Sequence, residues 1–328
     1  MISRRRIVIA IGASTLATPF GALAQQQAKV WRIGFLGSSS AVGMAGRIEA
    51  LKVGLTDFGY IDGKNIKVDY RWADDKYERL AALAADLVRE QVDLIVTHGT
   101  PGTQSAKQAT TSIPIVMALS GDAIATGLVA SLAKPGGNIT GMTFFDPELS
   151  AKRIDVLKDA LPNLRRLAVI TNPANSSATG PSLRAIESAA ASMKVNLYEY
   201  PVKGPGAFAD AFASMVKNRI EAVAVLQDPM TVSQVKALAA LGNDNRLPSI
   251  GFPELAEAGG LLGYGVDGNA LYRRAGYFVD RIIKGAKPGD LPIEQPTKFE
   301  MVINLKTAKA LGIKIPQSIM VQATKVIE

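Results

Sequence analysis

The chain has no cysteine and one histidine, His98, among its 328 residues. Without cysteine it has no disulfide, no thiolate metal site and no cysteine nucleophile. A single histidine excludes a site with several histidine ligands, and the HExxH motif is absent. A G-x-S-x-G nucleophile elbow is missing as well. We therefore expect no metal, no cofactor and no enzymatic activity, and we interpret His98 as a polar residue at a pocket edge or one satisfied in the interior.

Runs of positive charge and long apolar segments are also missing. No five lysines or arginines stand together, and basic residues do not alternate with aromatic ones as they do on nucleic-acid-binding surfaces. After residue 24, no apolar stretch reaches the roughly 20 residues that a spanning helix needs. The sequence thus predicts a soluble protein, which we expect to be a monomer that binds no nucleic acid.

Residues 1–24 have the three parts of a secretory signal peptide. Arg4-Arg5-Arg6 precede a short apolar run, residues 7–16, and Ala22-Leu23-Ala24 supplies small residues for cleavage. Export by the Sec or the twin-arginine route is left open, and the alternative is a disordered or membrane-anchoring N-terminus. Cleavage would remove three arginines and no acid, lowering the net charge from +8 to +5. We expect a periplasmic location.

Two similar stretches organise the rest of the chain. Residues 92–97 are β-formers that predict a buried strand, which ends at Gly99-Thr100-Pro101 before a helix. Residues 220–226 repeat this pattern and lead through Gln227-Asp228-Pro229 to a predicted helix at 232–241. Ligands of open α/β sheets bind at this edge, where strands end and helices begin. Two such edges predict two lobes that face each other.

The pattern of strands and helices predicts two doubly wound α/β halves. Five β units with helices between them, among them a short helix at 127–132, lead to a restart at residues 144–147. The second half continues to a strand at 259–267, and the tail ends near Pro316. The two halves are loosely equivalent, which favours an internal duplication; the alternative is that any two α/β halves look alike.

Several motifs make the chain similar to a known family. They are Pro-Gly-Gly-Asn-Ile-Thr-Gly at 135–141, the aromatic-Asp-Pro segment at 144–147, Val-Ile-Thr-Asn-Pro-x-Asn at 169–175, and the stretch 298–313. The chain resembles the substrate-binding proteins of ABC importers, in the group related to tryptophan and aromatic amino-acid binding proteins. The resemblance implies a fold of the type I-like periplasmic binding proteins, with two lobes that close on a small molecule and pass it to a permease in the inner membrane.

The lobes implied by the resemblance can be placed on the sequence. We assign residues 31–143 and about 267–297 to lobe one, and residues 144–266 and about 298–328 to lobe two. The two lobes would be joined by a hinge of three crossover strands.

The candidate binding residues follow predicted strands. We expect a ligand carboxylate on the backbone N–H groups near Thr100 and an α-ammonium group on Asp228, with Asp267 as a second candidate. Phe144 is interpreted as a pocket wall or as part of the hinge core. For each polar candidate the alternative is a helix cap or an Asx turn. The predicted ligand-binding set is Ser38, Ser39, Gly99, Thr100, Asp122, Phe144, Asn175, Ser176, Asp228 and Asp267.

Other functions are less well supported by the residues. A literal G-x-G-x-x-G at Gly263, Gly265 and Gly268 falls late in the chain, where a dinucleotide fingerprint is not expected. A ligand-sensing protein that feeds a receptor, and an exported α/β enzyme, remain as alternatives to a transport component. The sequence does not identify the ligand. Proteins of one fold bind different ligands by changing a few loop residues, and the shape of the pocket that these residues form cannot be read from the sequence.

Overall fold

A computed structural model describes residues 29–328, so the predicted signal peptide lies outside the described residues. Within these residues the strands form two sheets, one of five strands and one of seven. None of the helices in this part of the chain is long and apolar enough to cross a membrane. The two sheets with their intervening helices confirm the predicted α/β fold with two lobes.

The first sheet is parallel and has the order β2-β1-β3-β4-β5. Its central strand β3 reads Leu-Ile-Val-Thr-His and is buried at every position, as expected for a strand covered on both faces. Strands β1 and β3 are parallel neighbours. The chain continues from β1 to β2 on one side and from β3 to β4 on the other, which makes the gap between β1 and β3 a topological switch point. Sheets of this kind bind ligands at such points. The elements are β1 (Trp31–Gly37), α1 (Ala45–Thr56), β2 (Ile66–Trp72), α2 (Leu80–Arg89), β3 (Leu94–His98), α3 (Gly99–Ala109), β4 (Ile115–Ser120) and β5 (Ile139–Thr143).

The second sheet begins with the same arrangement. Five of its strands follow the order β7-β6-β8-β9-β10 and are parallel, which places its own switch point between β6 and β8. The elements are α4 (Asp146–Ala160), β6 (Arg166–Thr171), α5 (Ser176–Ser192), β7 (Asn196–Pro201), α6 (Phe208–Lys217), β8 (Ala222–Val225), α7 (Pro229–Ser233), α8 (Val235–Asp244), β9 (Ser249–Gly251), α9 (Pro253–Glu257) and β10 (Leu262–Gly265).

The last elements return to both lobes. Helix α10 (Gly268–Ile283) packs across α1 of the first lobe, where a side chain at Gly54 would collide with the backbone of Arg273. Strand β11 (Glu300–Asn304) pairs antiparallel with β10, and helices α11 (Leu305–Leu311) and α12 (Gln317–Met320) precede β12 (Lys325–Ile327), which pairs with β11. The chain therefore passes between the lobes after β5, after β10 and before β11.

Three local predictions are wrong. Residues 127–132 form no helix; Gly127 has a φ of +69° and ends a turn that begins at Asp122. The helix predicted at 232–241 is two helices, α7 and α8, which are separated at Gln234. The tail continues past Pro316 into α12 and β12, because β11 offers β12 a free edge.

Candidate functional site

A cleft lies between the lobes, at the ends of β3, β4, β6 and β8. It encloses about 670 Å³ free of protein atoms, open solvent at its mouth included. The residues that line it are Arg47, His98, Gly99, Thr100, Leu119, Ser120, Gly121, Asp122, Ala125, Thr126, Phe144, Asp146, Pro147, Asn175, Ser177, Ala178, Pro181, Gln227, Asp228, Pro229 and Val232.

The first lobe presents the beginning of helix α3 to the cleft. Gly99 has a φ of +72°, and a side-chain carbon there would lie 2.5 Å from Pro229 of the opposite lobe. Only glycine allows this backbone and this approach. The first N–H groups of a helix lack intrahelical partners and carry the positive end of the helix dipole. Gly99 and Thr100 therefore offer donors to a negatively charged group.

His98 precedes these donors and is neutral. Its Nε2 accepts a hydrogen bond from the backbone N–H of Ser38 at 3.2 Å, which leaves the ring proton on Nδ1. The ring lies near those of Phe35 and Tyr272, at centroid distances of 6.2 and 6.0 Å. Burial, with a smaller contribution from the charge of Arg47, lowers the pKa of His98 to about 3. The side chain is thus a neutral N–H donor over the physiological range.

Arg47 is a buried cation of the first lobe. It lies on the apolar face of α1 beside Ile48 and Leu51 and is 8% exposed. Its Nη2 donates to Oε1 of Glu254, on the second lobe, at 2.7 Å. The guanidinium carbon lies 5.5 Å from the centre of the Tyr272 ring.

The second lobe contributes a buried carboxylate, Asp228. Oδ1 accepts hydrogen bonds from Tyr77, Asn172 and the backbone N–H of Met230, and Oδ2 accepts one from Asn175 at 2.8 Å. All four donors are neutral, and in residues 29–328 the carboxylate forms no ion pair with lysine, arginine or histidine. Burial raises the pKa of Asp228 above its usual value, against the lowering effect of these hydrogen bonds. A buried carboxylate of this kind is poorly compensated until a cation approaches it.

Two further acceptors of the second lobe lack hydrogen bonds. Oδ1 of Asp146 and Oδ1 of Asn175 are buried without a hydrogen bond, and both residues line the cleft. Asp146 accepts from Ser182 through its other oxygen, and its Oδ1 forms an ion pair with Nη1 of Arg153 at 3.6 Å. The lobe-two side of the cleft is therefore rich in acceptors, whereas the lobe-one side is rich in donors.

The remaining wall of the cleft is apolar. Phe144, at the first crossover, lines the cleft and is buried. The other apolar groups in the lining are Leu119, Ala125, Pro147, Ala178, Pro181 and Val232. A ligand with a large apolar part fits this composition.

Hydrogen bonds also join the lobes beside the cleft. Tyr77 of lobe one donates to Asp228 at 2.8 Å and accepts from the N–H of Met230 at 3.1 Å. Ser39 donates to the carbonyl of Pro229 at 2.7 Å, and Ser233 donates to Asp75 at 3.2 Å. The structure is therefore in a closed arrangement.

The structure brings most of the predicted site residues to this cleft. The six that line it are Gly99, Thr100, Asp122, Phe144, Asn175 and Asp228.

The other four predicted residues lie elsewhere. Ser38 and Ser39 are buried behind the lining, where they hold His98 and Pro229. Ser176 starts α5 next to the lining residues Asn175 and Ser177. Asp267 caps α10 by accepting from Ala270 and lies in a separate depression, with Glu257 and Glu300.

Sequence reasoning missed Arg47, Tyr77 and Asp146. A usable signal existed for Arg47 alone, because it falls on the buried stripe of an amphipathic helix, where a charge needs a partner. The glycines of the literal G-x-G-x-x-G have packing roles: side chains at Gly263 and Gly268 would collide with Pro253 and Arg47 respectively.

Comparisons with known proteins show which proteins the chain is similar to. The family model described as ABC transporter substrate binding protein matches residues 39–327. The chain is 33% identical, over 267 residues, to a protein named Tyrosine-binding protein from Clostridioides difficile, covering 79% of this chain and 74% of that protein. An ABC domain from Streptococcus pneumonia in complex with L-Trp superposes with a TM-score of 0.82 at 26% identity, covering 91% of this chain and 100% of that one. A conserved domain protein from Vibrio cholerae gives a TM-score of 0.83 at 25% identity, with the same coverage.

Proposed function

The chain belongs to the family of ABC transporter substrate-binding proteins, a family of solute-binding proteins and not of enzymes, and from this premise we propose that its cleft binds an aromatic α-amino acid. The observation that carries the proposal is Asp228, a buried carboxylate in the cleft with only neutral partners. A ligand ammonium group supplies the missing charge.

The acceptors around Asp228 suit a primary ammonium group. Such a group has three N–H donors and no acceptor. Asp228, together with Oδ1 of Asp146 and Oδ1 of Asn175, provides acceptors on one side of the cleft. Oδ1 of Asn175 would otherwise remain buried without a hydrogen bond, which is costly.

The opposite side suits a carboxylate. The free N–H groups at Gly99 and Thr100 lie at the start of a helix of 11 residues, where a negative charge is stabilised. An amino acid placed between the two sides would contact both lobes, so its binding favours the closed arrangement.

An aromatic side chain fits the apolar wall. Phe144 lines the cleft together with the aliphatic residues Leu119, Pro147 and Val232. The relatives that bind tryptophan, by the description of the S. pneumonia structure, and tyrosine, by the name of the C. difficile protein, support this ligand class.

Delivery of the bound molecule to a membrane permease completes the proposal. Substrate-binding proteins of ABC transporters are generally extracytoplasmic, which accords with export to the periplasm. A sensory role with a receptor as partner remains the second candidate, since both roles use the same closing cleft.

The test is a thermal-shift screen of refolded protein with aromatic amino acids, aliphatic amino acids and aromatic acids, followed by calorimetry on the hits. A ligand at about 100 times its dissociation constant adds roughly 2.7 kcal/mol of stability. We expect aromatic amino acids to raise the melting temperature by several degrees and Asp228→Asn to reduce this shift strongly. A response to aromatic acids alone, or none from any amino acid, would refute the proposal.

A further inference from the structure

We infer that Arg47 is the residue that binds the ligand carboxylate and that Glu254 of the opposite lobe positions it. This inference rests on the proposed function and makes it more specific: the ligand must carry a free carboxylate, and an amide or an ester of the same molecule is rejected.

The guanidinium group has donors to spare. It lines the cleft, its residue is 8% exposed, and it uses one N–H for its hydrogen bond to Glu254. An arginine side chain carries five N–H donors in a planar fork that matches the two oxygens of a carboxylate. A fork with free donors in a closed cleft is suited to a small anionic group.

The position of Arg47 fits the polarity of the cleft. The ring of Tyr272 lies 5.5 Å from its guanidinium carbon and 6.0 Å from the ring of His98, which directly precedes helix α3. The cation, the neutral N–H of His98 and the free backbone donors of α3 therefore belong to the same end of the cleft. Asp228 and the acceptor oxygens of Asp146 and Asn175 come from the other lobe, so an amino acid has one orientation that satisfies both ends.

Glu254 fixes the direction of the fork. It binds Nη2 at 2.7 Å from helix α9 of the second lobe. The start of α10 closes over this pair, since a side-chain carbon at Gly268 would lie 2.5 Å from Nη2 and 2.8 Å from Oε1 of Glu254. Arg47 thus receives its orientation from the lobe opposite its own, and closing the cleft completes the carboxylate site.

The alternative is that Arg47 only forms an ion pair with Glu254 between the lobes and does not contact the ligand. The two roles differ in one readout, the ratio of affinities for an amino acid and for its carboxamide. These two ligands share the ammonium group and the ring and differ in the carboxylate alone. An inter-lobe ion pair affects both equally, whereas a carboxylate partner affects the acid.

The experiment measures dissociation constants of L-tryptophan or L-tyrosine, whichever binds, and of its carboxamide. We expect the wild type to prefer the acid by about 10- to 100-fold, the range of a hydrogen-bonded charge. Arg47→Gln should lose most of that preference while its affinity for the amide stays within about threefold. Arg47→Lys should keep part of the preference, because lysine keeps the charge without the fork. Glu254→Gln should reduce the preference less than Arg47→Gln does.

The control is Arg273→Gln, which breaks an exposed ion pair with Asp57 on the same lobe and should change neither affinity. Equal losses for acid and amide in Arg47→Gln would overturn the inference, as would a wild type that binds both ligands equally. The comparison of acid and amide in the wild type needs no variant, so a folding defect cannot obscure it. If the wild type binds no amino acid at all, the proposed function fails and this inference with it; if it binds both forms alike, this inference alone fails.

Discussion

The single histidine allows a direct test of how the cleft is built. His98 is buried next to Phe35, Tyr272 and the charge of Arg47, and these surroundings lower its pKa from 6.5 to about 3. The difference of about 3.5 pH units corresponds to roughly 5 kcal/mol against protonation in the folded state. The imidazole should therefore stay neutral until the protein unfolds in acid.

The sign of the effect on stability follows from proton binding. Below pH 6.5 the unfolded chain binds a proton at His98 that the folded chain excludes down to about pH 3. The contribution of His98 to the free energy of unfolding should then be fully present above pH 6.5. Below pH 6.5, the free energy of unfolding should fall by about 1.4 kcal/mol per pH unit because of this residue. Other groups titrate in the same range, so the comparison with His98→Gln isolates this contribution.

The assay is nuclear magnetic resonance of protein labelled at histidine, prepared without a histidine tag. One ring should give one set of signals, with shifts of the Nδ1-protonated tautomer and no titration between pH 8 and 5. Denaturant titrations of the wild type and His98→Gln should give a difference in unfolding free energy that is constant above pH 7.5 and shrinks below 6.5. A ring that titrates near pH 6.5 in the folded protein would refute the argument.

Further predictions concern the second lobe and the contacts between lobes. Burial raises the pKa of Asp228. The affinity for an amino acid should therefore be full above that raised pKa and fall as the pH drops through it. Calorimetry of Asp228→Asn should show weak binding without this pH dependence. Tyr77→Phe removes the bond to Asp228 and should weaken binding about 3- to 10-fold, with more open particles in X-ray scattering; equal affinity would contradict the role of this contact. Gly268→Ala should displace Arg47, lower stability by about 1–3 kcal/mol and reduce affinity, and unchanged values in both assays would disprove the close fit.

The fold could be predicted because strand and helix patterns are local. Continuous β-forming runs such as Leu94–His98 are buried on both faces, and the apolar stripe of α2 packs on β1 through Leu87, so the sequence pattern alone identifies them. The wrong predictions concern segments in which the apolar pattern and a turn-forming residue favour different structures, and composition does not decide between the two. The apolar pattern at 127–132 resembles a helix, but Gly127 takes a positive φ and the chain turns instead.

The candidate site was predictable where residues directly follow strands at the switch points. Thr100 follows β3, Asn175 follows β6 and Asp228 follows β8, and these strands lie beside the switch points of their sheets. Asp267 follows β10, which is remote from β6 in the sheet order, so the same reasoning placed it wrongly in the cleft. Arg47 lies within helix α1 and reaches the cleft because of the way the two lobes pack together, which sequence patterns do not predict.

Asp228 connects ligand recognition with the contact between lobes. It accepts a hydrogen bond from Tyr77 of the first lobe, and it is the carboxylate proposed to hold the ligand ammonium. An ionised carboxylate is a stronger acceptor than a protonated one, so a ligand cation that keeps Asp228 ionised also strengthens its bond to Tyr77. Asp75 adds to this coupling: burial raises its pKa first, and the charge of Asp228 raises it further. A bound ammonium group offsets that charge and so lowers the pKa of Asp75, the acceptor for Ser233 across the cleft. Binding and closure therefore reinforce each other through one buried carboxylate.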